Sequence, residues 1–512
     1  MQPAIPTPAQ PAASATWLGN IRCLFTEGDV DCMNAYGLDL TNYGVVRLHA
    51  QNIYQQVASG RMPKGGPAWP QDQVATFFAW MNNDFPMGTG TCQANAQLEM
   101  LAAAAPAGRL RQDVTTLTSD ELTTLKKAFA GIMALPITDP NSYFVQAGYH
   151  WLPVGNTYCQ HHVPGYNPWH RAYLLSFENA LRSIPGCEQV TLPYWDVTTP
   201  VPSVFQEAPF DSYTIPVALA DGSTNYPANT KTTRYDDATI QQNLLSATVT
   251  DKVNKAMSQP TWEGFHGLFG DAANNTIISA HDNGHNSIGD FMGDQDVAAF
   301  DPIFWFFHAN WDRLFWQWQN QTGATTIHGL LTTMTDPADL LSRQVFTNKV
   351  LELIPPFSTD ALQLTTLSII DSVASLDVDY INPPVPEMAL VTKTQRTVQA
   401  AYRFSVDGTR ANVRVAKLNR LKIPGSFTVH LTRDGEIIAS TSFFQPNEVE
   451  KCENCVQNAI VHFDFELPLA QVSTGKLGIL VEPRNKTTLG DTVPASLMGN
   501  PTVEVHLLLG ID

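Results

Sequence analysis

Apolar and polar positions alternate along the chain with three different rhythms. From Trp17 to Pro86, WLGNIRCLF, VVRLHAQNIYQQV and VATFFAWMNN repeat apolar residues at three and four, the period of an amphipathic helix. Turn clusters such as MPKGGPAWP separate them. A small structural or docking module of helices is predicted over 17–90. The Pro/Ala-rich stretch 1–16 is expected to be disordered. The middle of the chain, 91–385, mixes helical runs with polar stretches. Thr118 or Ser119 suits the cap of a helix starting near Glu121. Residues 201–260, rich in Thr, Asn and Asp, read as a long surface excursion with short helices. DPIFWFFHANWDRLFWQWQ, from Asp301, reads as an amphipathic helix. Beyond the proline run NPPVPEM (382–388) the period changes to two. ANVRVAKL, GSFTVHLTRDGEIIASTSFF, AIVHFDFELP and TVEVHLLL alternate as strands do, and RDGE marks a hairpin turn. The fold class read from this pattern is a mainly α core, with a C-terminal all-β sandwich or barrel-like domain over 386–512.

Composition narrows the functions. A chain of 512 residues suggests about three domains. A net charge of −18 argues against nucleic acid or an anionic membrane as partner. No run of 18 or more apolar residues predicts a membrane span. Seven cysteines are too few for a disulfide scaffold, and without C-x-x-C-H no haem is expected. The N-terminus has neither a basic n-region nor an apolar h-region, so no signal peptide and a cytoplasmic location are expected.

The chemistry concentrates in two histidine clusters. CQHHVPGYNPWHRAYLLSFENALR, Cys159 to Arg182, places three histidines and a cysteine within twelve residues. Pro168 suits the first turn of a helix, which puts His170 in its opening turn. His161 lies nine residues earlier and His150 eleven before that. In the second cluster His281 and His285 are four apart, on one face of a helix. His308 lies on the helix after Asp301. Six imidazoles without an accompanying carboxylate or thiolate set suit copper, zinc, iron or nickel. Three nitrogens per ion leave a position open, and two ions about 3.5–4 Å apart can hold one small molecule between them. A dinuclear zinc hydrolase would usually add bridging carboxylates, which these motifs lack.

His161, Pro168, Trp169, His170, Arg171 and Tyr173 resemble the CuA signature of the tyrosinase/catechol oxidase (polyphenol oxidase) family of type-3 copper proteins. DPIFWFFHANWDR resembles the CuB signature, and LPYWD (192–196) matches as well. The resemblance covers about 105–382. It implies a four-helix-bundle core holding two copper ions, with dioxygen as co-substrate and a small phenol as substrate. By position it implies His150, His161 and His170 as CuA ligands, and His281, His285 and His308 as CuB ligands. It implies a thioether from Cys159 to the His161 ring, which would fix that ring's orientation. His162 is expected to point elsewhere, and His266 is a weaker rival for a copper role. Asp312 and Arg313 are expected to be structural, and Arg111 and Tyr380 to close the core from opposite ends.

Several residues depart from the family pattern. Phe307 replaces a histidine that many members have beside His308. Many tyrosinases carry a glutamate before the first CuB histidine and an asparagine after it. Here Ile278 and Asp282 stand at those places, and Asn286 follows the second CuB histidine. Asp282 can serve as a base and isoleucine cannot. Oxidation of o-diphenols to o-quinones is therefore favoured over hydroxylation of monophenols. The alternatives are an o-aminophenol oxidase and a haemocyanin-like dioxygen-binding protein without turnover. The C-terminal part loosely resembles the domains that shield the active site in latent members. Its C-E-N-C pair, Cys452 and Cys455, is read either as a copper-transfer site or as a disulfide. Phe443 or Phe444 is read either as a plug in the copper pocket or as ordinary core.

Overall fold

The structure is a computed structural model. It describes residues 15–34, 38–58, 62, 69, 71–82, 85–88, 108–154, 160–267, 276–335, 343, 346, 356–357, 369–381, 404–405, 410–507 and 510–511. Residues 1–14 of the expected disordered N-terminus, the proline run 382–388 and Cys159 with its expected thioether lie outside the described residues. Two compact units emerge, Met1–Ala107 and Gly108–Asp512.

The first unit contains α1 (Glu27–Asn34), α2 (Tyr43–Ala58) and α3 (Gln71–Asn82). Thr16 caps the short turn that precedes them, its hydroxyl accepting from the Gly19 N–H. Trp80 is the centre of its core, with ring centroids 5.9 Å from Trp17, 5.4 Å from Phe77 and 5.0 Å from Phe85. Large rings let three short helices bury enough apolar surface to hold together. The buried Trp80 indole donates to the Pro86 carbonyl at 3.1 Å.

In the second unit α4 (Ser119–Ala134) starts at a capping box, with Thr118 and Glu121 each bonding the other's backbone. There follow α5 (Tyr143–Gly148), α6 (Tyr166–Arg182), α7 (Asp237–Ser246), α8 (Val249–Met257), α9 (Trp262–Phe265), α10 (Ile277–Ile288), α11 (Ile303–Thr322), α12 (Ile327–Thr333) and α13 (Ser372–Leu376). Every residue of α11 from Ile303 to Trp316 is buried, which is why its sequence is apolar almost all round. It packs on α6, and α6 packs on α4.

The stretch 201–260 departs from the expected surface excursion. It does contain short ribbons: β2 (Thr214–Ile215) with β5 (Thr230–Lys231), and β3 (Leu219–Asp221) with β4 (Thr224–Tyr226). But α7 and α8 pack against α10 and bury Ile240, Leu244, Val249, Val253 and Ala256. The apolar stripe of α8 is narrow, so its charged residues dominate a reading by composition.

One end of this unit is closed by parallel pairing of β1 (Arg109–Arg111) with β6 (Val378–Tyr380), which sets Arg111 beside Tyr380. Arg111 Nη1 donates to the Tyr380 hydroxyl at 2.8 Å, and that hydroxyl donates to Asp312 Oδ2 at 2.6 Å. Arg111 Nε meets Glu178 at 2.8 Å, and Arg171 Nε meets Asp312 Oδ1 at 2.6 Å. Arg313 pairs with Asp196 of the LPYWD motif at 2.9 Å.

The C-terminal part is all β in its core. Two antiparallel sheets, β10–β9–β12 and β11–β8–β13, share one apolar interior that includes Val413, Val415, Val429, Leu431, Phe463 and Phe465. The strands are β8 (Arg410–Asn419), β9 (Phe427–Arg433), β10 (Glu436–Phe443), β11 (Ile460–Pro468), β12 (Leu477–Pro483) and β13 (Thr502–Leu507). β7 (Phe404–Ser405) pairs with β14 (Gly510–Ile511). The β9–β10 hairpin turns at Asp434 and Gly435, both with positive φ (53° and 93°), as a two-residue hairpin with Asp-Gly requires. The connection from β10 to β11, which includes α14 (Glu453–Gln457), behaves differently. Its Phe444, Val449, Cys452 and Cys455 join the core of the helical part instead of the sandwich.

Candidate metal centre

Helices deliver the histidines. His170 sits one turn into α6, which begins at Tyr166, two residues before Pro168, and His161 lies in the loop entering it. His150 follows α5, His281 and His285 share one face of α10, and His308 projects from α11. All six are buried.

Their orientation is fixed from behind. The Nδ1–H groups of His150, His170 and His285 donate to the carbonyls of Gln295 (3.0 Å), Tyr166 (2.9 Å) and Met292 (2.7 Å). His281 Nδ1–H donates to Asp282 Oδ1 at 2.9 Å. Such bonds leave Nε2 as the free electron pair. The buried Nε2 atoms of His150, His170 and His281 have no hydrogen-bond partner among the described residues, and those of His285 and His308 face each other at 3.0 Å. Burial pulls His150 down to about 3, and burial together with neighbouring imidazoles holds the other five well below the usual histidine range. Neutral imidazole is the form that ligates a metal. Orphaned inward-facing nitrogens in an all-nitrogen set fit copper.

Two triads bring their donor atoms within 4.8 Å of one another: His150–His170–His308 and His281–His285–His308. His308 thus belongs to both. His161 lies among them, its ring 5.1 Å from His150, 5.2 Å from His170 and 5.4 Å from His281. His266 does not join the group. It stacks on Trp262 at 4.4 Å, and its Nδ1–H donates to the Gly267 carbonyl at 3.3 Å.

His162 turns away from the metal side, as its neighbour's role demands, and its backbone takes φ +56° to do so, an unusual state for a side chain of this size. Its Nε2–H donates to Asp282 Oδ2 at 2.8 Å, and its ring stacks on Phe443 at 4.0 Å. Asp282 is thus a junction, its Oδ1 taken by His281 and its Oδ2 by His162 and the Phe444 N–H (3.1 Å). Burial pushes its carboxyl up, and His162 and the Phe444 N–H oppose that. Ile278 is buried one turn before it. Asn286 donates to the Asp282 carbonyl at 3.2 Å, and its own carbonyl accepts from Arg484 of the β part at 3.2 Å.

The pocket between the histidines is filled. The Phe444 ring stacks on His285 at 4.0 Å with planes 14° apart, and lies 5.2 Å from His161 and 5.8 Å from His281. Phe443 faces the other way, into the sandwich core against Phe427 and Phe463. Cys452 and Cys455 are joined as a buried disulfide.

Sequence reasoning missed the groups that hold the β part over this pocket. Asn447 donates from its side chain to Asp294 Oδ1 (3.0 Å) and Asp296 Oδ2 (3.2 Å), and from its backbone to Asp296 Oδ1 (3.1 Å). Arg420 is fully buried, donates to His162 Nδ1 at 3.4 Å and lies 5.2 Å over the Phe443 ring. Asn283 binds β10 through Thr441 and Ser442. Only the acidic run DFMGDQD (290–296) carried a visible signal.

Comparison with known proteins agrees with this geometry. Residues 140–321 match the common central domain of tyrosinase. The tyrosinase HcTyr2 of Hahella sp. is 26% identical over 314 residues, covering 39% of this chain and 56% of that protein. The chain thus spans about half the length of that relative. A tyrosinase of Aspergillus oryzae is 24% identical over 493 residues, with 67% of this chain and 86% of that protein covered. In fold, the tyrosinase of Burkholderia thailandensis superposes with a TM-score of 0.54 at 21% identity, over 78% of this chain and all of that one. Residues 140–321 thus carry a tyrosinase central domain, and the relatives and the shared fold support the tyrosinase family of type-3 copper proteins.

Proposed function

We propose that this chain is a dicopper oxidoreductase that uses dioxygen to oxidise o-diphenols to o-quinones, and that the full chain is its latent form. His150, His161 and His170 would hold one ion, and His281, His285 and His308 the other, within a four-helix bundle of α4, α6, α10 and α11. The copper pair, when bound, supplies the electron transfer between phenol and dioxygen. The protein contributes a dry aromatic pocket, rigid histidines and one acidic group at its edge.

The observation that carries this reading is the Phe444 ring. A six-membered aromatic ring already lies flat on His285 among the six imidazoles, so the pocket accepts a phenol in size and shape. Phe444 lacks the hydroxyl that a substrate would bring. Asp282 accepts three hydrogen bonds here, from His281, His162 and Phe444, and its remaining acceptor capacity can take the phenolic proton. Buried Ile278 offers no second base, which favours diphenol oxidation over hydroxylation.

The test is dioxygen consumption by the copper-loaded full chain carrying Phe444→Ala, which empties the pocket, with 4-methylcatechol and with p-cresol. Faster turnover of the catechol, lost on copper removal and not restored by zinc, is expected. Rapid p-cresol hydroxylation without a lag would overturn the diphenolase preference. Reversible dioxygen binding with no consumption would make the protein a carrier.

A further inference from the structure

β10 is the edge strand of its sheet, and its free edge lies on α10. The contact copies half of a β-ladder. N–H groups two residues apart on a strand point the same way, and here those of Ser442 and Phe444 are received by two consecutive helix side chains. Ser442 N–H donates to Asn283 Oδ1 at 3.1 Å, and Phe444 N–H donates to Asp282 Oδ2 at 3.1 Å. Asn283 Nδ2 donates to the Thr441 hydroxyl at 3.1 Å and is steadied by the Ser279 carbonyl at 2.8 Å. The ring of Phe443 stacks on His162 at 4.0 Å. Residues 441–444 therefore occupy the helical part as an extended peptide would, with an aromatic ring in the copper pocket and main-chain hydrogen bonds along its edge. Asn283 and His162 contribute nothing to metal binding, yet both are buried and turned to this strand.

The geometry points to a substrate class: o-diphenol side chains carried within extended peptide segments, with an aromatic residue immediately before the reacting one. This rests on the proposed dicopper oxidase activity. Asp282 reads the N–H of the reacting residue, Asn283 the N–H two positions earlier, and His162 stacks on the residue between. Main-chain hydrogen bonds of this kind supply affinity, and the alternate side-chain positions supply preference. Two such diphenol side chains give up four electrons and four protons to one dioxygen, leaving two o-quinones and two waters.

The experiment uses the copper-loaded full chain carrying Asn447→Ala, which loosens the β part at a distance from the copper pocket. Dioxygen consumption is measured with acetyl-Thr-Ser-Phe-dihydroxyphenylalanyl amide, with N-acetyl-dihydroxyphenylalanine amide and with 4-methylcatechol. The peptide is expected to show a KM at least tenfold below that of the single-residue amide. Adding Asn283→Leu should bring that ratio close to one. As a second readout, acetyl-Thr-Ser-Phe-Phe amide should inhibit 4-methylcatechol oxidation competitively, and Asn283→Leu should weaken it about tenfold. Equal KM values for peptide and amide, or inhibition indifferent to Asn283, would overturn the inference while leaving the oxidase reading intact. No oxidation of 4-methylcatechol by the loosened chain would overturn the oxidase reading, and the inference with it.

Discussion

The unit that carries the six buried histidines is closed at two ends, and the two closures are built from different chemistry. At the base, Arg111 and Arg171 meet Glu178 and Asp312 through contacts of 2.6–2.8 Å, with the Tyr380 hydroxyl between them. Burial alone would lower the Arg111 guanidinium, but Glu178, Tyr380 and Asp312 hold it above its ordinary value. At the mouth, Arg420 is the buried cation beside Asp282, and burial pulls it down to about 9 despite that carboxylate. Its Nε and Nη2 have no hydrogen-bond partner among the described residues. The neighbouring acids Asp294 and Asp296 are both pushed up, by burial and, for Asp296, also by the other carboxylate. Matched charges make a closure that is costly to open, because each partner left behind is a bare buried ion. Hydrogen bonds to neutral or half-satisfied groups make one that can be exchanged for water.

The largest effect should follow from breaking the base. Asp312→Asn leaves Arg171 without its carboxylate and weakens Arg111, at a cost of about 3–5 kcal/mol in folding. Chemical unfolding of the full chain measures this, and a loss below about 1 kcal/mol would erase the distinction between the two ends. Asn447→Ala tests the mouth. It removes side-chain bonds to Asp294 and Asp296 and weakens docking of the β part by about 1–3 kcal/mol. That corresponds to a rise of about five- to 150-fold in catechol oxidation, with the unfolding midpoint nearly unmoved. A collapse of the midpoint equal to that of Asp312→Asn would show that both ends are structural in the same sense.

The pH dependence sharpens the comparison further. Asp294, raised by burial to about 6, binds its proton more tightly when docked than when open to water. Its contribution to docking is therefore complete below the ordinary carboxylate range and is lost as pH rises through about 6. Asp296 acts in the same direction at higher pH. Among the described residues Thr224, Tyr226, Asn447 and Arg484 face this pair, and of these Arg484 opposes the effect by charge. Catechol oxidation by the wild-type chain, divided at each pH by that of Phe444→Ala, whose pocket is open whether or not the β part is docked, should rise about tenfold from pH 5 to pH 7. Asp294→Asn should flatten the rise. A falling ratio would contradict the assignment.

Much of the fold and of the metal centre is legible in the local period of the sequence. The aromatic run of α11 and the four-residue step from His281 to His285 fix which faces meet. Alternation of period two marks the strands, and Asp434-Gly435 marks their turn. What stays hidden depends on contacts between distant parts of the chain. Asn447 is one polar residue in a loop, and nothing local says that two buried acids about 150 residues earlier receive it. The choice between Phe443 and Phe444 needs the register of β10, because adjacent side chains leave a strand on opposite faces. The packing of α8 is masked by Asp251, Lys252 and Lys255, which interrupt Val249, Val253 and Ala256 in the sequence.

The central claim is that the Phe444 ring stands in the place of substrate. Dioxygen uptake with 4-methylcatechol, by copper-loaded full chains with and without Phe444→Ala at equal copper content, tests it most directly. At least a tenfold faster rate in the variant is predicted, since it removes the ring stacked on His285 and leaves the six histidines in place. Equal rates in the two chains would contradict it.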